Sequence, residues 1–301
     1  MNTLIIGATG LFGSRLCELL AHDDHDIFAV TRDPEVARDL TTWGVTGVVA
    51  DLDDPDTLRI PMKDADRVFL ASPIHPDLGV REAQTIEIAS RSGVQQLVKI
   101  HGAVRHDDDE LGRQHRIAID ALQASDLEWT LLSPSSVMET TLLPQADAVR
   151  HLDRMFGCAG QGRVGLIAAD DVALAAATLL RSDPELMHGR NLEITGPEAF
   201  THAGIADRLG SELGRTIGYT DLSEDEFRDL LIDFGVDADT IDIRFLCHFR
   251  AIREGRADLV NNTFEWLVGR PPMSISDWLG EHRRAFLPIN PVFRTPSLAG
   301  V

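Results

Sequence analysis

A glycine-rich loop near the start of the chain has the spacing of a phosphate-binding turn. Gly7, Gly10 and Gly13 stand three residues apart, after an apolar run at 4–6 and before an amphipathic stretch. Glycine permits a tight turn and lets a pyrophosphate approach the backbone, and the first turn of a helix presents free N–H groups to an anion. The loop therefore predicts a dinucleotide site. Its binding residues would be Gly7, Thr9, Gly10, Leu11, Phe12 and Gly13.

The spacing G-x-x-G-x-x-G departs from the standard G-x-G-x-x-G fingerprint, and a purely structural turn is the alternative. The position of the loop, between a predicted strand and a predicted helix, favours phosphate binding.

Residues about 20 positions beyond such a loop bear on which dinucleotide binds. An acidic residue there would hydrogen-bond the ribose 2′-hydroxyl of NAD, whereas an arginine would meet the 2′-phosphate of NADP. The sequence places Thr31, Arg32 and Asp33 at the end of the second predicted strand. Thr31 and Arg32 favour NADP(H) over NAD(H). Asp33 could instead bind the ribose of NAD, so this alternative stays open. Arg32 could also be an ordinary solvated residue.

Two more strand ends are predicted to line the same cofactor. Asp51 and Leu52 follow the third predicted strand and would flank the adenine. Ser72 and Pro73 follow the fourth and would lie along the path from the adenosine to the nicotinamide. For Asp51, a turn-forming role in the run 51–54 is an equal alternative.

Short apolar runs alternate with amphipathic stretches over residues 1–133. The predicted strands are Thr3–Ile6, Asp26–Thr31, Gly47–Ala50, Arg67–Ala71, Gln96–Ile100 and Trp129–Leu132. The predicted helices are Leu11–Ala21, Pro34–Thr41, Asp54–Pro61, Leu78–Ser92 and Asp109–Ala124. This alternation predicts an α/β fold, a Rossmann-type doubly wound parallel sheet whose ligand crevice lies at the carboxyl ends of the strands.

The pattern changes after Pro134. Further predicted elements are the strands Val164–Ile167 and Asn191–Thr195, the helix Asp170–Arg181, a helix from the cap Thr201 to about Leu213, and a capping box at Ser223–Glu226 that opens a helical region to Phe286. We predict a Rossmann domain over 1–133 with 162–182 packing back on it. A smaller, mainly helical substrate part would comprise 134–161 and 183–287, and a tail 288–301.

The composition and the charge limit the kinds of molecule that the protein is expected to bind. The 301 residues carry 28 basic and 48 acidic side chains, a formal net charge of −20. Such a surface repels nucleic-acid phosphates, so we expect no nucleic-acid partner. The longest apolar stretch, 172–180, is too short to span a membrane, and a strand near residue 3 leaves no room for a signal peptide. Three widely spaced cysteines indicate neither disulfides nor a metal site. We expect a cytoplasmic protein.

Several segments together resemble one protein family. They are GATGLFG, VTRDPEVARDL, GVVADLDDPDTL, SGVQQLVKI, DLEWTLLSP, GRNLEITGPEAFTHAGIADRLGSELGRTIGY and GRPPMSISDWL. Over about residues 1–279 the chain is similar to the NmrA-like branch of atypical short-chain dehydrogenases/reductases. The resemblance implies an NAD(P)H-binding protein, and the family includes quinone reductases, isoflavone-reductase-like enzymes and catalytically silent redox-sensing regulators.

The chain departs from the family at the usual catalytic positions. Typical short-chain dehydrogenases use Tyr-x-x-x-Lys, in which the phenol gives the proton. This sequence has one tyrosine, Tyr219, with no lysine after it, and only two lysines, Lys63 and Lys99. The dyad is therefore absent from the sequence. His101 replaces the serine that the family carries after its fifth strand, and this position favours contact with the cofactor. A residue of the pocket wall with satisfied polar atoms is an equal alternative for His101.

His115 is the predicted catalytic residue. The resemblance places it where isoflavone-reductase-like enzymes carry their catalytic lysine and quinone-reductase-like members a histidine. An imidazole titrates near pH 6.5, so His115 could polarise a carbonyl or donate a proton. A histidine on the helix surface is the alternative. His106, His202 and His248 carry no argument from sequence and are expected to be surface or core residues.

These features predict an NAD(P)H-dependent oxidoreductase. It would transfer hydride to a carbonyl, quinone or conjugated alkene of a small, hydrophobic or aromatic substrate. Two alternatives stay open: a non-catalytic NADP(H)-sensing regulator that binds a partner protein, and a redox-neutral isomerase or dehydratase on the same fold. We expect a small-molecule substrate as the partner, and a homodimer stays open.

Overall fold

A computed structural model describes residues 1–23 and 26–288. The strands of this part of the chain are β1 Asn2–Ile6, β2 Asp26–Thr31, β3 Thr46–Val49, β4 Arg67–Leu70, β5 Gln96–Ile100, β6 Glu128–Pro134, β7 Ser136–Val137, β8 Arg154–Gly157, β9 Arg163–Ile167, β10 Arg190–Ile194, β11 Ala199–Thr201 and β12 Gly218–Asp221.

The helices of the described ranges lie between these strands and after them. They are α1 Leu11–Leu20, α2 Pro34–Leu40, α3 Arg59–Lys63, α4 Leu78–Ser92, α5 Glu110–Gln123, α6 Met138–Leu142, α7 Ala146–Leu152, α8 Ala169–Arg181, α9 His202–Leu213, α10 Glu224–Asp233, α11 Ala238–Ile241, α12 Cys247–Arg253, α13 Thr263–Val268 and α14 Ile275–His282. None of the helices in these ranges combines the length and apolar character that crossing a membrane requires.

Seven parallel strands form the central sheet, in the order β10-β6-β5-β4-β1-β2-β3. The chain runs outward from β1 to β3 and then crosses to β4 on the other side of β1. The strand order therefore reverses between β1 and β4, where doubly wound sheets open a crevice for their ligand. The predicted Rossmann-type α/β fold is confirmed.

Alternate residues of β1 pack on opposite faces of the sheet, as the period of two in a strand requires. Ile5 lies in the hydrophobic cluster that contains buried residues of α1 and α8. Leu4 and Ile6 lie in the cluster that contains buried residues of α4 and α5. Because both faces are covered by helices, the strands are apolar almost throughout, which made them easy to predict.

One predicted boundary is wrong. The strand near Asn191–Thr195 was assigned to the smaller substrate part, but β10 is the edge strand of the central sheet, and Leu192 pairs with Leu132 of β6. A short strand with a polar start carries no signal about which sheet it joins, because pairing is a long-range choice.

The region after Pro134 builds two small sheets, ordered β11-β9-β7 and β12-β8. The predicted strand Val164–Ile167 is present as β9, but it pairs with β7 and β11 rather than with the central sheet. The strands β7, β8, β11 and β12, of two to four residues, were not predicted, since they are too short to show a period.

Helix caps in this region follow the sequence signals. Thr201 caps α9 by accepting the N–H of Gly204 at 3.0 Å, and Ser223 forms the predicted capping box with Glu226.

The predicted helix at 54–61 is instead a 3₁₀ turn followed by α3, with Pro61 in the first turn, where a missing N–H is tolerated. The predicted tail, 288–301, lies outside the described residues except for Pro288.

Candidate active site

The glycine loop is closed by backbone packing on both sides. Gly7 has φ +84°, and a Cβ there would collide with the carbonyl oxygen of Ala71 at the end of β4. A Cβ on Gly13 would collide with the carbonyl oxygen of Gly7. These two glycines therefore allow α1, β1 and β4 to pack closely. Their role is to set the shape of the loop.

Gly10 has a different place, because it is the exposed N-cap of α1. Its N–H donates to the carbonyl of Gly7 at 2.9 Å. No side chain caps α1, and its first turn contains no acidic residue, so the N–H groups at 11–13 are left for an anion. Thr9 is exposed beside Gly10, and Leu11 and Phe12 are half-buried. The loop has the chemistry of a phosphate site.

At the end of β2, Asp33 is committed to the local backbone. Its carboxylate accepts the N–H groups of Glu35 at 2.7 Å and Val36 at 3.4 Å as the N-cap of α2. Thr31 is buried, and Arg32 is exposed next to the cap. The capping bonds weaken the ribose-binding alternative for Asp33, because the carboxylate already satisfies a helix N-terminus.

At the end of β3, Asp51 forms a turn. Its carboxylate accepts the N–H of Asp53 at 3.0 Å, and its own N–H donates to Thr57 Oγ1 at 2.9 Å. Leu52 is half-buried beside it. The turn-forming interpretation is thus present in the structure, and a contact of Asp51 or Leu52 with adenine stays a prediction.

Ser72, at the end of β4, belongs to a polar network that sequence analysis missed. Its hydroxyl donates to Glu82 Oε1 at 2.6 Å, and Glu82 Oε2 lies 3.0 Å from Lys99 Nζ. The side chains of Lys99 and Glu82 are 0% and 2% exposed, so this is a buried ion pair. Lys99 also donates to the carbonyl of Ile100 at 2.7 Å. A lone lysine inside an otherwise apolar strand was the available signal. Pro73 is exposed next to Ser72.

The buried pair leads to a stability prediction. Lys99→Met leaves Glu82 without its cation, and removing one partner of a buried pair costs about 3–5 kcal/mol. Urea denaturation should show this loss in the free energy of unfolding. Lys63→Met, at the exposed second lysine, is the matched control and should change little. Adding Glu82→Gln to Lys99→Met should restore most of the loss; a single variant as stable as the control would contradict the assignment.

His101 and His115 come together at the carboxyl end of β5. Their rings meet edge to face, with centroids 4.5 Å apart and planes at 81°. Both Nδ1 atoms are buried and have no hydrogen-bond partner among the described residues. Unpaired buried polar atoms are costly in a folded protein and call for an explanation such as a ligand.

The backbone positions both rings. The N–H of His101 donates to the carbonyl of Leu132 at 2.9 Å, which ties the loop after β5 to β6. On α5, Gln114 Oε1 accepts the N–H of Gly79 at 2.9 Å, and a Cβ on Gly79 would collide with the carbonyl of Gln114. The turn of α5 that carries His115 is therefore packed against the start of α4. His115 is half-buried and its Nδ1 is enclosed, which disfavours the alternative of a fully solvated histidine on the helix surface.

Burial changes the acid–base chemistry expected of these histidines. Burial lowers the pKa of His101 to about 3, with Lys99 and His106 adding to the effect. Burial, followed by Lys99, His101 and His106, lowers the pKa of His115 to about 2. Both rings are thus neutral near pH 7. The expectation of a group that titrates near 6.5 is corrected, and what remains is a neutral N–H donor.

A second polar group includes two further histidines. Ser136 Oγ, just beyond β6, is 2.7 Å from His248 Nε2 on α12. The ring of His248 stacks on His106 with centroids 5.9 Å apart. These histidines were expected to be ordinary surface or core residues, but contacts between residues so far apart in sequence leave no signal. Tyr219 lies elsewhere, on β12, and its hydroxyl donates to Asp221 at 3.2 Å.

Comparison with known proteins shows the family to which the chain belongs. The sequence profile of the NAD(P)H-binding family matches residues 7–183. The chain is 27% identical to an NAD(P)H azoreductase of Xenophilus azovorans, over 94% of this chain and 98% of that protein. It is 30% identical to a (4-alkanoyl-5-oxo-2,5-dihydrofuran-3-yl)methyl phosphate reductase of Streptomyces griseus, over 95% and 99%.

Among solved structures, an NADPH-dependent quinone oxidoreductase of Escherichia coli in complex with NADPH superposes with a TM-score of 0.83. It is 22% identical, and the match covers 94% of this chain and 100% of that one. At this identity the likeness concerns the fold. The predicted resemblance to NmrA-like proteins is confirmed: the chain belongs to the NAD(P)H-binding family of atypical short-chain dehydrogenases/reductases.

Proposed function

We propose that the chain is an NAD(P)H-dependent oxidoreductase that transfers hydride to a carbonyl, quinone or conjugated alkene of a small, hydrophobic or aromatic substrate. The observation that carries this proposal is that the phosphate loop and the histidine pair lie at the same end of the central sheet. The uncapped first turn of α1 and the His101–His115 pair both lie at the carboxyl ends of the central strands. The reductases and azoreductase to which the chain is similar support the same reaction class.

The glycine loop would hold the pyrophosphate through the N–H groups that follow Gly10. When bound, the nicotinamide supplies the hydride, and the protein supplies binding, orientation and electrostatics. Ser72 would act mainly by fixing Glu82, because its hydroxyl is already engaged there. Asp51, Leu52 and Pro73 would line the cofactor as sequence topology suggests.

His115 would be the catalytic residue in this proposal, and His101 its neighbour on the cofactor side. A neutral imidazole can donate a ring N–H to an oxygen on which negative charge develops. Desolvation of the His115 ring, followed by the charge of Lys99, disfavours an imidazolium there. The chain would thus stabilise the developing oxyanion by a preorganised hydrogen bond rather than by a charged acid.

We further propose that NADP(H) is preferred over NAD(H). Asp33 is engaged as a helix cap, and the exposed guanidinium of Arg32 stands beside it at the end of β2. A guanidinium can pair with a 2′-phosphate through two parallel hydrogen bonds, which a ribose hydroxyl cannot offer.

Arg32→Ala should therefore weaken NADPH binding by about 1.5–3 kcal/mol, the range of hydrogen bonds to charged groups. NADH affinity should stay nearly constant in the same calorimetric titrations. Arg91→Ala is the control, because it removes the same charge from an exposed site at the far end of α4. Equal losses for NADPH and NADH, or an equal effect of Arg91→Ala, would refute the 2′-phosphate contact.

The reaction class is tested by a steady-state screen. NADPH and NADH oxidation should be followed against quinones, azo dyes, aromatic ketones and enones, with each cofactor alone as the blank. We expect acceptor-dependent oxidation with at least one of these classes, faster with NADPH. Tight cofactor binding without oxidation by any acceptor would instead support the sensing regulator.

A further inference from the structure

Three side chains that can bind metals converge away from the glycine loop. They are His106, Asp109 and Cys247, and one ligand atom of each lies within 4.8 Å of the other two. Between the first two, His106 Nδ1 is 2.7 Å from Asp109 Oδ2. The side chains of His106 and Asp109 are 7% and 17% exposed, and Cys247 is buried. A solvated cluster would not be enclosed in this way.

We propose that His106, Asp109 and Cys247 bind one divalent transition-metal ion, with Zn²⁺ as the expected ion. A set of one nitrogen, one oxygen and one sulfur donor suits zinc, whereas Mg²⁺ and Ca²⁺ require oxygen ligands. Metal–ligand distances of about 2.0–2.3 Å place tetrahedral donors roughly 3.3–3.7 Å apart. Since the three donor atoms already lie within 4.8 Å of one another, movements of about an ångström would complete the site.

Local contacts hold two of the ligands in place. Asp109 is the N-cap of α5, where its Oδ1 accepts the N–H of Gly112 at 2.9 Å and its Oδ2 faces His106. A Cβ on Gly112 would collide with the carbonyl of His106, so the loop is packed tightly on the helix. Such fixed neighbours orient metal ligands and raise metal affinity.

Cys247 is presented by an unusual stretch of helix. A π-helical turn at Asp242–Leu246 precedes α12, and π-helical turns occur preferentially at functional sites. The thiol donates to the carbonyl of Ile243 at 3.1 Å. On metal binding this proton would leave to solvent, and the resulting thiolate and the Asp109 carboxylate would balance the charge of a divalent ion.

The ligands come from two segments that lie far apart in the chain, the loop after β5 and the start of α12. These segments already meet through the stacking of His248 on His106. A bound ion would therefore clamp α12 to the sheet edge that carries His101 and His115. Three protein ligands also leave a fourth position for water.

The test uses the full chain, freed of any affinity tag and stripped with a chelator. Zn²⁺ alone is titrated by calorimetry, and Co²⁺ alone by absorption spectroscopy, where a thiolate ligand gives a sulfur-to-cobalt charge-transfer band. We expect one equivalent of tight binding, the charge-transfer band, and a rise in Tm with Zn²⁺. Cys247→Ser should abolish the band, and both Cys247→Ser and His106→Gln should weaken Zn²⁺ binding by about 10²-fold or more.

Cys158→Ser is the matched control, because Cys158 is also a buried thiol but lies outside the cluster. It should keep both the band and the affinity. Folding of each variant is checked by circular dichroism in the absence of metal. Absence of stoichiometric binding, binding without the band, or equal behaviour of Cys247→Ser and Cys158→Ser would overturn the site. None of these readouts requires turnover, so they leave the proposed reductase activity a separate question.

Discussion

Replacing His115 by alanine is expected to lower kcat by about 10²–10⁴, the usual contribution of a positioned acid–base or hydrogen-bonding group. The physical reason is the loss of a neutral donor at the place where charge develops on the substrate. NADPH affinity should stay nearly constant in calorimetric titrations, since the residue is assigned to the substrate side. His151→Ala, at an exposed histidine of α7, is the matched control. A fully active His115→Ala variant would show that hydride positioning alone carries the reaction.

The pH dependence of kcat in the parent protein distinguishes two roles for His115, a neutral hydrogen-bond donor and a charged acid. Its pKa is about 2 in the folded protein, below the usual 6.5, so the ring is neutral throughout the range above about pH 4. We therefore expect kcat to show no inflection from this group between about pH 5 and pH 8. An inflection near pH 6.5 that disappears in His115→Ala would mean that the ring titrates and acts as a charged acid.

Gly10→Val should abolish dinucleotide binding while the protein stays folded. Gly10 is an exposed N-cap, and the nearest atom to a Cβ there is the carbonyl oxygen of Gly7 at 3.1 Å, a tight contact that a shift of a few tenths of an ångström relieves. The branched side chain would occupy the space that a pyrophosphate needs. Calorimetry with NADPH should show a loss of at least about 10²-fold, which is near the upper end of what one hydrogen bond to a charged group provides.

Gly280→Val is the matched control for this variant, because a Cβ at Gly280 meets open space. Both variants should retain the far-ultraviolet circular dichroism of the parent. If folded Gly10→Val binds NADPH as tightly as Gly280→Val does, the pyrophosphate does not lie on this loop.

Local patterns in the sequence were sufficient for much of the fold. The strands β1 to β6 are apolar runs bounded by turns, and the helix caps at Thr201 and Ser223 are short motifs, so each could be recognised within a few residues. The place of β10 in the central sheet could not be recognised in this way. That pairing depends on β6, far away in the chain, and a five-residue strand does not encode its partner.

The candidate site likewise combines features that the local sequence shows with contacts that form only on folding. The positions of the glycine loop and of Arg32 at strand ends are visible in the sequence, and their contacts with a cofactor stay predictions. The Lys99–Glu82 ion pair and the contact of His248 with Ser136 depend on residues brought together by folding. The pKa of His115 belongs to the second group, because burial and neighbouring cations decide it and neither is visible in a linear sequence.

The central claim is hydride transfer from NAD(P)H to a small acceptor at the carboxyl edge of the sheet. The most direct measurement uses NADPH deuterated at either face of nicotinamide C4, with an enone that the acceptor screen identifies, followed by mass spectrometry of the reduced product. The account predicts deuterium on a product carbon from one of the two labelled cofactors only, because a fixed site presents one face. Reduction without label from either cofactor, or no acceptor-dependent oxidation at all, would contradict it.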